Sequence, residues 1–536
     1  MRTFKVLTAT TFSALIMASC GTANIISTPI ENIDKIPLKV SELTKAEKEN
    51  WGHLDLVKDT IPGMSVDKAY TEIIKNKKGK KVIVAVIDSG IDIDHEDLDD
   101  VIWVNKDEKP NNGIDDDKNG YIDDVHGWNF LGDGYDEQLE YVRILAKGDK
   151  TNPDYDRALE EYNKEYPKWM ERKTRYEQIL AQVSSAHETL TGHFGKKDYT
   201  KEEVNAIKTE DEDLQKSVQL AKYMFSNGLD SLEDAVKELN SGLESINERL
   251  NYNLNKEFNG RVNGDDPNDF TTKYYGNGNV KPVKKSESHG THVAGIIAAE
   301  RNNGLGVNGV ANNVEIMCIR TVPNGDEYDK DVALAIRYAV DNGAKVINGS
   351  FGKSFSPHSD YVREAIKYAS DNDVVFVHAA GNDSKDVDTA PNFPDDNVNY
   401  VEISNTYIRV GALAPKYGSN MVASFSNYGK KNVDIFAPGA SVYSTTPENE
   451  YMTKGGTSMA APAVAGVAAL IRSYYPKLSA AQVKQIIMDS GLAIHTKVIV
   501  GGNSDDVRPF ADIVKSGKIA NAYNALIMAS KMSSTN

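Results

Sequence analysis

Two cysteines in 536 residues, Cys20 and Cys318, leave no room for a disulfide framework. Basic residues are also short: 61 Lys and Arg stand against 78 Asp and Glu, a net charge of −17. That balance excludes nucleic acid as a partner and excludes an electrostatic hold on anionic lipid. Beyond the N-terminal segment, no run is apolar enough to cross a bilayer. What remains is a chain long enough for one large domain and additions to it. Cys318, in Val314-Glu315-Ile316-Met317-Cys318-Ile319, has strand-like surroundings and reads as a small core hydrophobe.

Residues 1–19 have the order of a targeting segment. Basic Arg2 and Lys5 come first, an apolar stretch runs from Leu7 to Ala18, and small residues lead to Cys20. The segment is too short to span a membrane. The placement of Cys20 resembles that of a bacterial lipoprotein signal. This implies cleavage before Cys20, its lipidation, and an exported protein held to the cell envelope (outer membrane, periplasm or surface). Secretion follows if the anchor is absent. Residues 20–50 are mixed and polar and read as a tether.

Val82-Ile83-Val84-Ala85-Val86-Ile87 is an unbroken, largely β-branched run, the pattern of a parallel strand buried on both faces. It places Asp88 at the strand's C-terminal end, where open α/β sheets put their ligands. After residue 264, strands and helices alternate again. Ser288-His289-Gly290-Thr291-His292 opens a small-residue helix. Strands are expected at 314–319, 345–348 and 374–378, and helices at 329–342, 359–370 and 479–489. The rhythm implies a parallel sheet with helices on both faces. Gly456-Thr457-Ser458-Met459-Ala460-Ala461-Pro462 precedes an apolar helix over 463–475, with Pro462 in its first turn. Ser458 then lies beside free N–H groups that favour negative charge. Taken singly, these residues stay ambiguous. Ser458 can be an N-cap, Asp88 a turn former, and His292 or His378 can rival His289 as a base.

Asp115-Asp116-Asp117-Lys118-Asn119-Gly120-Tyr121 repeats the first half of an EF-hand-type loop. Side-chain oxygens of Asp115, Asp117 and Asn119 and the Tyr121 carbonyl point to calcium. His126 stands where the closing acid is expected, so Asp123 or Asp124 has to complete the shell, and Asp124 is the expected ligand.

Residues 134–263 differ from their surroundings. Tyr155, Tyr162, Tyr166, Trp169, Tyr176 and Val183 fall on heptad-like steps with Leu159, and Leu232, Val236, Leu239, Leu243, Ile246 and Leu250 keep an unbroken 4-3 alternation. Between them Thr200 and Glu203 form a capping box for a helix carrying Leu214, Val218 and Phe225 and ending at Asn227-Gly228. The expectation is an inserted helical hairpin or small bundle, with a protein partner as an additional role. The expected divisions are 1–19, 20–50, a first part of the α/β domain at 51–133, the insertion 134–263 and a second part of the α/β domain at 264–536.

Val84-Ala85-Val86-Ile87-Asp88-Ser89-Gly90, His289-Gly290-Thr291-His292-Val293-Ala294-Gly295 and Gly456-Thr457-Ser458-Met459-Ala460-Ala461-Pro462 are similar to the three active-site signatures of subtilisin-like serine proteases. They occur in that family's order of Asp, His and Ser. The resemblance covers roughly residues 80–131 and 276–490 and stops at the insertion. It implies an α/β subtilisin-like fold and peptide-bond hydrolysis through an acyl-enzyme. Ser458 is then the nucleophile, His289 the general base and acid, and Asp88 its orienting partner. It also implies that Asn382 is the oxyanion-hole amide and that Ser350-Phe351-Gly352 is the edge pairing with an extended polypeptide substrate. Two alternatives stay open: an inactive binding protein acting through the insertion, and an ester hydrolase. Gly349 departs from the family pattern and is expected to loosen the edge strand. The stretch before Asp88 is short for an inhibitory pro-domain.

Overall fold

A computed structural model of the protein describes residues 27–31, 33–399 and 401–535. The targeting segment and Cys20 lie outside the described residues. Parts of residues 27–31 and 33–50, expected as a tether, are docked on the body, while Leu38 and Val40 are exposed. Ile33 is 3 % exposed and joins a core cluster, and Ile30 N–H donates to Asn524 Oδ1 at 2.8 Å. Thr44 and Glu47 form a capping box on the helix Lys45–Asn50. Isolated apolar residues in a polar stretch give no periodicity, so this docking leaves no pattern in the sequence.

A nine-stranded sheet organises the rest. Its strands are β1 Val82–Asp88, β2 Gly127–Asn129, β3 Val314–Arg320, β4 Val346–Gly349, β5 Val375–Ala379, β6 Tyr407–Leu413, β7 Ile435–Pro438, β8 Leu492–Ala493 and β9 Lys518–Ile519. The order is β8-β9-β7-β6-β5-β4-β1-β3-β2. Only the β8–β9 pair is antiparallel. Along β1, Val84 and Val86 face one core cluster while Ala85 and Ile87 face the other. This is why the run is apolar without alternation. With β3 on one side of β1 and β4 on the other, the C-terminal ends of β1, β4 and β5 open onto a common crevice.

The insertion leaves after β2 and contains α1 Glu140–Lys147, α2 Tyr155–Phe194, α3 Glu212–Ser226 and α4 Leu232–Glu248. Where one helix was expected from the Thr200 cap onward, there are two. The capping box starts only Lys201–Ala206, and Asp211 caps α3 by accepting from Leu214 N–H. Pro167 sits inside the 40-residue α2, where it costs the helix one backbone donor. The bundle has two apolar clusters. An outer one joins Val183, Leu190, Val218, Phe225 and Leu232; an inner one joins Tyr141, Val142, Ile246 and Leu250 to Phe355 of the protease body. Leu159 of the expected seam is instead 37 % exposed. Entry and exit lie side by side: Asn253 Nδ2 donates to the Glu137 carbonyl at 2.8 Å and to the Asn324 carbonyl at 2.7 Å.

Helix α5 His289–Ala298 and helix α8 Thr457–Tyr474 cover one face of the sheet; α6 Asp329–Asp341 and α7 Ser359–Asp371 cover the other. No helix among the described residues is long and apolar enough to cross a membrane.

Candidate active site

Asp88 closes β1 and is fully buried. Its Oδ1 lies 2.7 Å from His289 Nδ1, at the start of α5, and accepts the Ser89 N–H at 2.7 Å. An ionised carboxylate only accepts, so Nδ1 carries the proton and Nε2 is left as the base. Glu287 fixes this pair. It accepts from Gly90 N–H at 2.8 Å, from Val283 N–H at 2.7 Å and from the buried Arg320 Nε at 2.7 Å. It thereby ties the end of β1 to the turn that carries His289. Its only sequence signal is an acid just before Ser288-His289. The rival histidines are taken elsewhere. His292 Nε2 meets the Met452 carbonyl at 3.0 Å, and His378 Nε2 meets the Phe351 carbonyl at 2.8 Å. Burial pushes both down to about 3, so both are neutral.

Ser458 is the second residue of α8, which begins at Thr457 rather than after Pro462. Pro462 therefore falls in the second turn, and its missing N–H leaves the Ser458 carbonyl without its helical donor. Ser350 fills the gap: its Oγ donates to that carbonyl at 2.9 Å and accepts from Asn348 Nδ2 at 2.9 Å. In return Ser458 Oγ donates to the Ser350 carbonyl at 3.1 Å. Among the described residues no hydrogen bond joins Ser458 to His289. The two side chains border adjoining parts of the cleft that share Phe351 and Gly352.

Asn382 follows β5. Its Oδ1 accepts from Thr457 N–H at 2.8 Å and Thr457 Oγ1 at 3.0 Å, which leaves the Nδ2 donor for the groove beside Ser458. Asn427 holds this loop, accepting from Asp383 and Lys385 N–H and donating to the Ala380 carbonyl. Gly349 does not loosen its strand, β4, which is paired on both sides. A Cβ there would stand 2.9 Å from the Phe376 ring, so glycine is what lets the strand approach. Lys353 and Phe393 exchange backbone hydrogen bonds of 3.0 and 2.9 Å on the inner side of Ser350-Phe351-Gly352. A cavity of about 730 Å³ opens beside Ser458 and Asn382 and runs past Gly352 to Tyr141 and Arg249 of the insertion.

In the acidic loop, carboxylates of Glu108, Asp115 and Asp117 gather within 4.8 Å of one another. Glu108 was not singled out from sequence; it lies ahead of the motif and is buried. Asp124 stands apart from this group. It accepts from Asn105 and Asn119 amides at 2.9 Å each and from Tyr338 hydroxyl at 2.6 Å, and burial pushes it up to about 6. The Asn119 side chain is likewise occupied, donating to Asp117 and Asp124 and accepting from Tyr121 N–H. The Tyr121 ring is buried edge-on against Trp128 and Tyr338.

Residues 79–505 match the model of the subtilase family. The chain belongs to the subtilase family. It is 43 % identical over 187 residues to the thermophilic serine proteinase of Bacillus sp. (strain AK1), covering 35 % of this chain and 43 % of that one. It is 39 % identical over 196 residues to thermitase of Thermoactinomyces vulgaris, covering 36 % and 64 %. Subtilisin DY of Bacillus licheniformis is 40 % identical over 197 residues, covering 37 % and 67 %. The alignments thus span between 43 % and 67 % of these relatives' own lengths. In this subtilase the whole insertion falls inside the matched span.

Proposed function

We propose that this subtilase is an exported serine endopeptidase that cleaves polypeptides through Asp88, His289 and Ser458. The observation that carries the reading is the Asp88–His289 hydrogen bond of 2.7 Å, set in the same cleft as a serine at a helix N-terminus and a free amide donor. An extended substrate pairs with the Ser350-Phe351-Gly352 edge, which recognises main chain rather than an ester leaving group. As the scissile carbonyl seats, Ser458 Oγ turns from the Ser350 carbonyl and gives its proton to His289 Nε2. Asp88 stabilises the imidazolium. The oxyanion meets the Ser458 N–H and Asn382 Nδ2. His289 then protonates the leaving amine, and water hydrolyses the acyl-enzyme by the same route.

Glu108, Asp115 and Asp117 form a hard, all-oxygen donor set that fits calcium in a structural role, and clustered carboxylates without a cation repel one another. Chelation is expected to lower the melting temperature, and Asp115→Ala with Asp117→Ala to remove that sensitivity. Lipidation at Cys20 is read from the N-terminal order of charge and apolarity; intact-mass measurement of membrane-extracted protein tests it. The peptidase reading is tested with a peptide library. Cleavage of internal peptide bonds supports it, and cleavage of esters alone overturns it.

A further inference from the structure

The cavity beside Ser458 has one wall that the protease body does not supply. The insertion contributes three cations to it: Arg157, Lys164 and Arg249. Arg157 is paired with Asp154 at 2.9 Å, and Lys164 lies 3.5 Å from Glu161. Arg249 has no carboxylate partner among the described residues. Its Nε is buried without a hydrogen bond, while the guanidinium reaches Asn253 Oδ1 at 3.3 Å and lies 5.5 Å from the Trp169 ring centre. It is therefore held in place but not neutralised. Tyr141 lines the same cavity. It is 7 % exposed, and its hydroxyl also has no partner. Arg249 Nε and the Tyr141 hydroxyl are thus buried, unsatisfied donors on two residues that line one cavity, and such donors are costly unless a small side-chain turn lets a ligand complete them. Of the four acids that line the cavity, Asp383 lies on the loop held by Asn427 beside Asn382, and the other three do not serve. Glu161 and Glu165 are shared with Lys164 and Lys168, and Asp326 accepts from Glu140 N–H while burial pushes its carboxyl up.

We propose that this cavity takes a carboxylate side chain of the substrate, on the acyl side of the scissile bond, and that Arg249 and Tyr141 of the insertion recognise it. The inference rests on the peptidase reading above. It makes the insertion a specificity element of the cleft. A guanidinium and a hydroxyl, both preorganised, satisfy the two carboxylate oxygens better than the oxygen and amino group of an amide.

The experiment compares peptides carrying Glu or Gln at each of the four residues preceding the cleaved bond. Wild type, Arg249→Gln, Arg249→Lys and Tyr141→Phe are assayed, with active enzyme counted by a serine-directed phosphonate. Wild type is expected to favour Glu over Gln at one position by roughly 10- to 100-fold in kcat/KM. Arg249→Gln and Tyr141→Phe should shrink that ratio, and Arg249→Lys should restore part of it. Tyr141→Phe removes a single oxygen, so it reports even if the Arg249 variants fold poorly. A Glu/Gln ratio near one at every position in labelled, active wild type overturns this proposal and leaves the peptidase reading standing. Preference for Glu that survives both Arg249→Gln and Tyr141→Phe also overturns it. Absence of labelling and of all cleavage overturns the peptidase reading instead.

Discussion

Single side chains set two sharp expectations. Asn382 offers its Nδ2 to the groove because Thr457 already occupies Oδ1. If that donor acts on the developing oxyanion, Asn382→Ala lowers kcat by about 10²- to 10³-fold with little change in KM. Steady-state kinetics on one peptide checks this; a raised KM at unchanged kcat would make Asn382 a ground-state binding residue. Asp396 tests electrostatics away from the cleft. It is 7 % exposed with Oδ2 unpartnered, and burial pushes its carboxyl from 3.8 up to about 7, against the pull of Lys484. A carboxyl raised in the folded state favours folding while protonated, so stability is lost as pH rises from about 4 to about 7. Asp396→Asn keeps the neutral form. Its melting temperature relative to wild type should therefore climb across that window, by an amount corresponding to a few kcal/mol at most. A difference that does not vary with pH would contradict the assignment.

At the scale of elements, the exchange between α8 and the strand end at Ser350 is the joint on which the nucleophile rests. Pro462 removes one helical donor and Ser350 Oγ replaces it. Ser350→Ala should cost about 1–2 kcal/mol in stability, since it leaves a part-buried carbonyl unpaired. Adding Pro462→Ala returns a backbone N–H to that carbonyl and should recover much of the loss. Chemical denaturation of the four proteins in this double-mutant cycle measures the coupling, and strict additivity would refute it. This joint was not legible in the sequence. The apolar residues after Pro462 place the helix start at the proline, whereas hydrogen bonding begins it at Thr457. By contrast β1 and Asp88 were legible, because a strand buried on both faces must be apolar at every position. His289 was separable from His292 and His378 only through the resemblance. The reason is their partners, the Met452 and Phe351 carbonyls, which lie far away in sequence. Glu108 and Glu287 act through folding partners that no local motif names.

For the whole molecule, the insertion was legible as helices with apolar seams, but its relation to the cleft was not. Heptad spacing tells which residues bury, not that the inner cluster reaches Phe355 of the protease body. The two clusters divide it into a part that walls the cavity and an outer part that does not. Helices α2 and α4 touch at Tyr176 and Gly242, where a Cβ would stand 2.7 Å from the ring. Replacing residues 178–240 with a short Gly/Ser linker should therefore keep the cavity and the cleavage of small peptides. If the outer bundle restricts large substrates, folded proteins are then cleaved faster; equal rates before and after would make it a passive arm. Cleavage of small peptides and of folded proteins alike requires Ser458 as the nucleophile. The most direct test treats wild type and Ser458→Ala with a serine-directed phosphonate, maps the label by peptide mass, and assays peptide cleavage. The account predicts one label, on Ser458, absent from a folded Ser458→Ala protein whose activity falls by about 10⁶-fold. Labelling at another residue, or an Ala variant that still turns over peptide at the wild-type rate, would contradict it.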